Sequence, residues 1–210
     1  MSEYVASVAA ETIESNPNCK LGLPTGSTPI GMYSNLIQFD LDWSNVKTFN
    51  LDEYENISHV HPESYHMYMR RNLFLHVNLK EENIHFPDNK YDKTIKDEGG
   101  LDVTILGIGH NGHIAFNEPG SSLTSRTRKV KLTEETIQAN SRFFKTIDEV
   151  PKRAFTMGMK TIRESKRIIL IANGSDKWKI LDECFNGNVT KDRPASILQV
   201  HPKIEVFYAS

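Results

Sequence analysis

Apolar residues recur along this chain with two different periods, and their alternation predicts its helices and strands. Near the start, Val5, Val8, Ala9 and Ile13 fall on one face of a helix. Short apolar runs rich in β-branched residues predict buried strands. The predicted strands are residues 19–23, 46–49, 84–86, 101–106, 167–172 and 204–208. The predicted helices are residues 4–15, 29–37, 64–74, 90–96, 176–185 and 194–199.

The alternation of helices and strands predicts an α/β fold. Strands separated by helices pair in parallel, because the crossover helix returns the chain to the edge of the sheet from which it left. We therefore expect a single open, mostly parallel, Rossmann-like sheet with helices on both faces, formed by residues 1–210 as one domain. Ligands of such sheets bind at the carboxyl ends of the strands. The candidate chemistry should therefore follow the strands.

Composition and charge exclude several classes of protein. With 25 Lys and Arg against 27 Asp and Glu, the net charge is -2, and no basic block is available to follow a nucleic-acid backbone. No apolar stretch reaches the roughly 18 residues of a membrane span, and no leader peptide is recognisable. The 2 cysteines lie far apart and form no metal or disulfide motif. We expect a cytoplasmic protein with neither a nucleic-acid nor a membrane partner.

The most informative polar segment follows the strand predicted at residues 101–106. Residues 107–119 read GIGHNGHIAFNEP and place glycines, histidines, an amide and a carboxylate in one turn. The GxGxxG spacing of residues 107–112 would suit a dinucleotide if a helix followed, but Pro119 and Gly120 stand where that helix should extend. We therefore expect the glycines to bring the backbone close to a small ligand, and we expect no nucleotide cofactor.

The histidines of this segment allow two kinds of chemistry. His110 and His113, with Glu118 or Asp52, could form a mononuclear metal site, because imidazole and carboxylate are common zinc ligands. On an irregular turn, however, this spacing does not bring both rings to one side. His113, between Asn111 and Glu118, is better explained as an oriented acid or base. We expect acid–base catalysis without a bound metal or other cofactor.

Other polar residues at predicted strand and helix ends suit an anionic substrate. Residues 24–29, PTGSTP, offer hydroxyl and backbone N–H donors at the start of a helix, where the dipole favours a phosphate. Arg142, beside two phenylalanines, and Lys177, at another predicted helix start, could bind the same anion. Asp52 and Glu53 follow a further predicted strand, and burial would raise the pKa of whichever acid faces the pocket.

Together these segments resemble glucosamine-6-phosphate deaminase over nearly the whole chain. LGLPTGSTP, FNLDEY, LGIGHNGHIAFNEPGSS, ANSRFF and PASILQVHP stand in the order and roughly the spacing of that family. The resemblance implies conversion of glucosamine 6-phosphate and water to fructose 6-phosphate and ammonia, in amino-sugar catabolism and without a cofactor. It implies that Asp52 moves a proton between C2 and C1, and that His113, with Glu118 and Asn111, opens the sugar ring. The phosphate-binding residues it implies are Thr25, Gly26, Ser27, Thr28, Arg142 and Lys177.

The chain also departs from the family pattern. Asn111 stands where some members carry an aspartate. Val130 stands where allosterically regulated members carry a lysine, so we expect their effector site for N-acetylglucosamine 6-phosphate to be absent. We also expect the family's first strand to be missing and residues 87–91 to be shorter than their counterpart.

Two other functions stay open at this stage, and both belong to related folds. One is a 6-phosphogluconolactonase, which would need a histidine to activate water but no acceptor for a C2 proton. The other is a non-catalytic phosphosugar sensor, although no helix-turn-helix or basic arm precedes the domain. The sequence leaves undecided whether the protein is a monomer or a homo-oligomer.

Overall fold

The computed structural model describes residues 1–210, and its main element is a six-stranded sheet. The strands are, in chain order, β1 (Lys20–Leu23), β2 (Lys47–Asn50), β3 (Asp52–Tyr54), β4 (Ile84–His85), β5 (Val103–Gly107), β6 (Arg128–Lys131), β7 (Arg153–Thr156), β8 (Arg167–Asn173) and β9 (Ile204–Ala209). Six of them pair in the order β4-β2-β1-β5-β8-β9, and every pair is parallel. This sheet confirms the predicted fold class.

Helices cover both faces of the sheet. They are α1 (Ser2–Ser15), α2 (Ile30–Leu36), α3 (Tyr65–Asn72), α4 (Tyr91–Asp97), α5 (Glu134–Asn140), α6 (Met159–Arg163) and α7 (Lys177–Phe185). The apolar sides of α1, α2 and α3 pack in one core cluster, whereas α4, α6 and α7 pack in another. The helix predicted at residues 194–199 is instead a 3₁₀ helix, Pro194–Val200. The sequence did not predict α5 and α6.

The strand β8 shows why the sequence predicted this part of the fold correctly. Its residues alternate between the two core clusters, with Ile169 and Ile171 in one and Ile168 and Leu170 in the other. Because both faces of the strand are covered, it reads as an uninterrupted apolar run. Burying each of these side chains stabilises the fold by about 2 kcal/mol.

A second sheet, which the sequence did not predict, has three antiparallel strands in the order β3-β7-β6. Its strands are short, and β6 is largely charged, so the sequence has no apolar run from which these strands could be predicted. Asp52 of β3 lies opposite Thr156 of β7. A small apolar cluster that includes Tyr54 and Ile137 packs α5 against this sheet. The segment that begins with α5 is therefore held beside Asp52.

The parallel arrangement brings the ends of β1, β2 and β5 to the same edge of the main sheet. The polar segments that the sequence analysis singled out follow these three strands. None of the helices has both the length and the hydropathy that crossing a bilayer requires.

Candidate active site

A cavity of about 290 Å³ opens at the carboxyl ends of β1, β2 and β5. Three chain segments that are far apart in sequence form its polar lining, and the turn after α5 closes one side. The polar side chains and glycine that line it include Thr25, Gly26, Ser27, Thr28, Asp52, His113, Thr136 and Arg142. The structure thus brings together the acid, the imidazole and most of the predicted phosphate-binding residues.

Asp52 is the buried acid of this cavity. It is the first residue of β3, and only 7% of its surface is exposed. Burial, together with the neighbouring charge of Glu53, raises the pKa of Asp52 to about 8. No hydrogen bond opposes this shift. A carboxyl group with this pKa can release and recover a proton near neutral pH, as a general base must.

Glu53, the other acid of the pair, is turned away from the cavity and is fully engaged. Its carboxylate accepts hydrogen bonds from the backbone N–H groups of Tyr65 and His66, at 3.1 and 3.0 Å. It also contacts His66 Nδ1 at 2.9 Å. These bonds satisfy the free N–H groups at the start of α3. Glu53 therefore fastens α3 to β3, and Asp52 alone is available to a ligand.

Two residues, Asn111 and Glu118, fix the state of the His113 ring. The Nδ2 amide of Asn111 donates to Glu118 Oε2 at 2.9 Å, and the Oδ1 atom of Asn111 lies 2.7 Å from His113 Nδ1. A carboxylate can only accept, so the amide oxygen of Asn111 must face His113, and His113 Nδ1 must carry the proton. The lone pair on Nε2 is then left for a ligand in the cavity.

Glu118 lies behind His113 and does not line the cavity. Burial would raise the pKa of Glu118, but hydrogen bonds from His113, Thr136 and Asn111 outweigh it and hold that pKa at about 2. The carboxylate therefore stays ionised across the range in which proteins work. The Glu118 carboxylate lies 3.3 Å from His113 Nδ1, close enough to interact with positive charge that develops on the ring during proton transfer.

The GxGxxG spacing has a structural explanation that the sequence did not suggest. Gly109 lies against the ring of His113, so closely that any side chain at this position would overlap the ring. Gly112 has φ +81°, in the left-handed region that glycine adopts without strain. We expected these glycines to let the backbone approach a ligand. Gly109 lines the cavity and also lets the backbone approach the imidazole, so its contact with a ligand stays a prediction.

The side of the cavity predicted to bind an anion consists of the turn after β1 and of Arg142. The backbone carbonyl of Gly26 accepts a hydrogen bond from the Tyr68 hydroxyl, which ties this turn to α3. Arg142 is exposed, and its guanidinium stacks on the ring of Phe143, 4.6 Å from the centroid. A guanidinium anchored in this way keeps its donors free for a phosphate.

Lys177 does not line the cavity in this structure. It is the first residue of α7 and is half-buried, and burial lowers the pKa of its ammonium group. Its role in phosphate binding therefore stays a prediction. Sequence reasoning missed Tyr65 and Thr136, which do line the cavity. Their positions depend on how α3 and α5 pack, and no local motif signals that packing.

The metal alternative is not supported by the geometry. No group of three or more His, Cys, Asp or Glu side chains is arranged to hold a metal ion. His110 Nδ1 pairs with Asp176 at 2.9 Å on the surface, whereas His113 bonds Asn111 and faces Glu118. The three residues of the proposed metal site thus belong to two separate clusters.

A second cavity, of about 480 Å³, lies on the other side of β3 beside Glu53. Three stacked rings line it. The ring of His66 lies between those of His59 and Phe86, with centroid-to-centroid distances of 3.7 and 3.5 Å. The one buried acid in its lining, Glu53, is already hydrogen-bonded, and neither glycine-rich turn lines this second cavity. The smaller cavity, which combines Asp52 with His113, is therefore the candidate active site.

The fold and the smaller cavity define an α/β enzyme of the phosphosugar-isomerising class, with acid–base groups and an anion site at one sheet edge. The chain belongs to the family of glucosamine-6-phosphate isomerases and 6-phosphogluconolactonases, whose model matches residues 1–206. The family resemblance inferred from the sequence motifs is thereby confirmed.

Similar proteins fall on the deaminase side of this family. A protein of Thermoanaerobacter pseudethanolicus named glucosamine-6-phosphate deaminase is 46% identical over 98% of this chain and 87% of its own. One of Halothermothrix orenii with the same name is 47% identical over 97% of this chain and 90% of its own. A solved structure described as a monomeric glucosamine-6-phosphate deaminase superposes with a TM-score of 0.95 at 42% identity, covering 99% of this chain and 92% of that chain.

The lactonase branch is more distant. A putative 6-phosphogluconolactonase from Neisseria gonorrhoeae superposes with a TM-score of 0.73 at 23% identity, over 100% of this chain and 94% of that chain. Identity this low indicates the shared fold and carries no inference about activity. The lactonase alternative is therefore the weaker one.

Proposed function

We propose that this protein converts glucosamine 6-phosphate and water to fructose 6-phosphate and ammonia. One observation supports this most strongly. A single cavity holds a carboxyl group with a pKa of about 8, Asp52, and an imidazole with a free Nε2, His113. An aldose–ketose rearrangement with loss of an amine needs such a pair, one group for the ring oxygen and one for the carbon skeleton.

Ring opening is the step that we assign to His113. The Nε2 atom takes the proton of the C1 hydroxyl and returns it to the ring oxygen as the C1–O5 bond breaks, which leaves an open-chain aldehyde. Asn111 keeps the ring in the Nδ1–H form, and the ionised Glu118 stabilises the transient imidazolium. The substrate loses no atom in this step.

Proton transfer between C2 and C1 is the step that we assign to Asp52. The ionised carboxylate removes the C2 proton, and the electron pair forms the enolamine, whose C1 oxygen takes a proton from solvent. Asp52 then delivers its proton to C1, which gives an iminium ion at C2. Water adds to the iminium carbon, and the nitrogen leaves as ammonium, which carries the solvent proton away, as the C2 carbonyl of fructose 6-phosphate forms. Because the cycle returns both catalytic groups to their starting states, it requires no cofactor.

The phosphate is assigned to residues 25–28 and Arg142. Phosphate binding is remote from C1 and C2, so it supplies binding energy that fixes the sugar in register with Asp52 and His113. Lys177 is an additional candidate, because its half-buried ammonium group stands at the start of a neighbouring helix.

Several broader assignments follow from this activity. We propose that residues 1–210 act as one catalytic domain, because both sheets contribute to the cavity. We propose a monomer, in analogy with the solved relative described as monomeric. A cytoplasmic location suits the 2 free, buried cysteines and a phosphorylated sugar substrate. The reaction belongs to amino-sugar catabolism.

The test is ammonia release from glucosamine 6-phosphate, measured with the purified protein. We expect ammonia and fructose 6-phosphate in equal amounts. The same preparation is assayed with 6-phosphogluconolactone. Hydrolysis of the lactone without ammonia release from the amino sugar would make the protein a lactonase. Binding of glucosamine 6-phosphate without turnover would make it a sensor.

A further inference from the structure

We propose that Thr136 is a positioning residue for ring opening, which acts on His113 through Glu118. This inference rests on the roles proposed above for His113 and Glu118. Its structural basis is one hydrogen bond, in which the Thr136 hydroxyl donates to Glu118 Oε1 at 2.7 Å. Thr136 lines the cavity, but none of the roles assigned above includes it.

The two oxygens of Glu118 have different partners. Oε2 accepts from Asn111 at 2.9 Å and faces His113 Nδ1 at 3.3 Å. Oε1 is held by Thr136 alone. Only 14% of the Glu118 side chain is exposed, so few water molecules can replace that bond. Without Thr136, the carboxylate plane would be free to rotate, and the alignment of Asn111 and His113 would loosen with it.

The direction of the Thr136 hydrogen bond is set by the start of α5. The hydroxyl of Thr133 is the N-cap acceptor for the Thr136 N–H, at 3.1 Å. The Thr133 hydroxyl hydrogen points to Thr136 Oγ1 at 3.0 Å, which leaves the Thr136 hydrogen for Glu118. Hydrogen bonds in such a chain strengthen one another. The capping of α5 and the position of Glu118 are therefore connected.

The same short helix leads to the proposed phosphate-binding arginine. The helix α5 ends at Asn140, and Arg142 lies in the 3₁₀ turn that follows it. Asn140 and Arg142 both line the cavity, as Thr136 does. One segment thus holds the phosphate at one end and Glu118 at the other.

The test compares Thr136→Val, which removes the hydroxyl and keeps the shape, with Thr136→Ser, which keeps the hydroxyl. We expect Thr136→Val to lower kcat about tenfold, the scale of one hydrogen bond to a charged group, with KM nearly unchanged. We expect Thr136→Ser to retain most of the activity. The open-chain 2-amino-2-deoxyglucitol 6-phosphate, which needs no ring opening, should bind all three proteins equally. Equal melting temperatures check that the variants fold.

A double-variant cycle tests whether Thr136 acts through Glu118. In a Glu118→Ala background, which leaves no acceptor for the Thr136 hydroxyl, Thr136→Val should lower kcat no further. An unchanged kcat in Thr136→Val, an equal loss in Thr136→Ser, weaker binding of the open-chain analogue, or additive losses in the double variant would each overturn the proposal. So would an unchanged kcat in Glu118→Ala alone. Ammonia release by the unmodified protein keeps these failures distinct from a failure of the proposed activity.

Discussion

The imidazole of His113 rests on the backbone of Gly109, at a distance that only glycine permits. A Cβ atom at position 109 would overlap Cε1, Nδ1 and Nε2 of the ring. A small displacement of a catalytic group is enough to cost about 100-fold in rate. We therefore expect Gly109→Ala to lower kcat for ammonia release by about two orders of magnitude, with a smaller change in KM.

A second variant separates displacement of the ring from damage to the fold. In His113→Ala, the ring is gone and a methyl group added at position 109 has room. We therefore expect Gly109→Ala to lower the melting temperature of the native sequence and to leave that of His113→Ala unchanged. An equal loss of stability in both backgrounds would mean that the clash involves the backbone and not His113.

The pH dependence of turnover should report on Asp52. Because its pKa is raised to about 8, the ionised form that accepts the C2 proton grows as pH rises toward 8. We expect the profile of kcat/KM against pH to rise in a single step near this pH. Asp52→Asn should lower kcat by about 10²- to 10⁴-fold and abolish this ascending limb of the pH profile. Near-normal ammonia release by Asp52→Asn would transfer the role to another acid.

The variant Glu53→Gln tests whether the pH dependence of kcat/KM comes from Asp52. The charge of Glu53 contributes to the raised pKa of Asp52, after burial. Removing that charge should lower the pKa of Asp52 and move the ascending limb to lower pH. The helix α3 keeps an acceptor, because the glutamine carbonyl can still receive one of the N–H bonds that now reach Glu53. A limb that stays in place would mean that it belongs to a different group.

The same carboxyl group predicts how stability varies with pH. In the unfolded chain Asp52 releases its proton near pH 3.8, whereas in the fold it holds the proton up to about pH 8. Between these values the folded state binds more protons, so the contribution of Asp52 to stability falls as pH rises and is constant above pH 8. Asp52→Asn should therefore be more stable than the native sequence at high pH, by a few kcal/mol, and similar to it near pH 4. Urea unfolding at two pH values measures this difference, and a difference independent of pH would contradict it.

Phosphate recognition should depend more on Arg142 than on Lys177. Arg142 lines the cavity, whereas Lys177 does not. We expect Arg142→Gln to raise KM about 10- to 100-fold, the loss of a charge-assisted contact, and to weaken inhibition by inorganic phosphate. Lys177→Gln should raise KM less. Lys179→Gln, on the same helix but 88% exposed, is the matched control and should leave KM unchanged. An effect of Lys177→Gln as large as that of Arg142→Gln would place the ammonium group at the phosphate during turnover.

The sequence predicted those parts of the fold that rest on local patterns. Apolar runs such as β8 identify strands buried on both faces, and parallel pairing then places their carboxyl ends at one edge. This is why Asp52, His113 and residues 25–28 could be assigned to one pocket before the structure was known. The antiparallel sheet was missed because strands such as β6, with three charged residues in four, are held by their partners and not by an apolar pattern.

Contacts between distant segments could not be read from the sequence. The roles of Gly109 and Thr136 depend on how closely a ring and a carboxylate approach them. The glycine-rich turn predicted close approach of the backbone to a small ligand, but nothing in its spacing signalled that Gly109 also makes room for the His113 ring. Likewise, the residue pattern did not tell Asp52 from Glu53, so the choice of Asp52 rested on the family resemblance, and the occupation of Glu53 by the start of α3 supports it.

Regulation by a phosphosugar effector should be absent. An effector phosphate needs several free cationic or N–H donors held together. Two of the three cations on β6 already have partners, and the third, Lys131, is exposed beside Val130. Arg128 donates to Asn117 Oδ1 at 2.9 Å, and Lys129 Nζ lies 2.7 Å from Glu55 Oε1. Val130 itself packs against the small apolar cluster beneath α5.

We therefore expect a hyperbolic dependence of rate on glucosamine 6-phosphate, unchanged by N-acetylglucosamine 6-phosphate. An allosteric effector typically changes affinity by about 5- to 150-fold, so initial rates across the substrate range would reveal one readily. A sigmoidal curve, or a shifted midpoint, would mean that Lys131 binds the effector or that Arg128 or Lys129 exchanges its present partner for it. Arg128→Gln, Lys129→Gln and Lys131→Gln would then identify the donor, because only the variant that lacks it would lose the response.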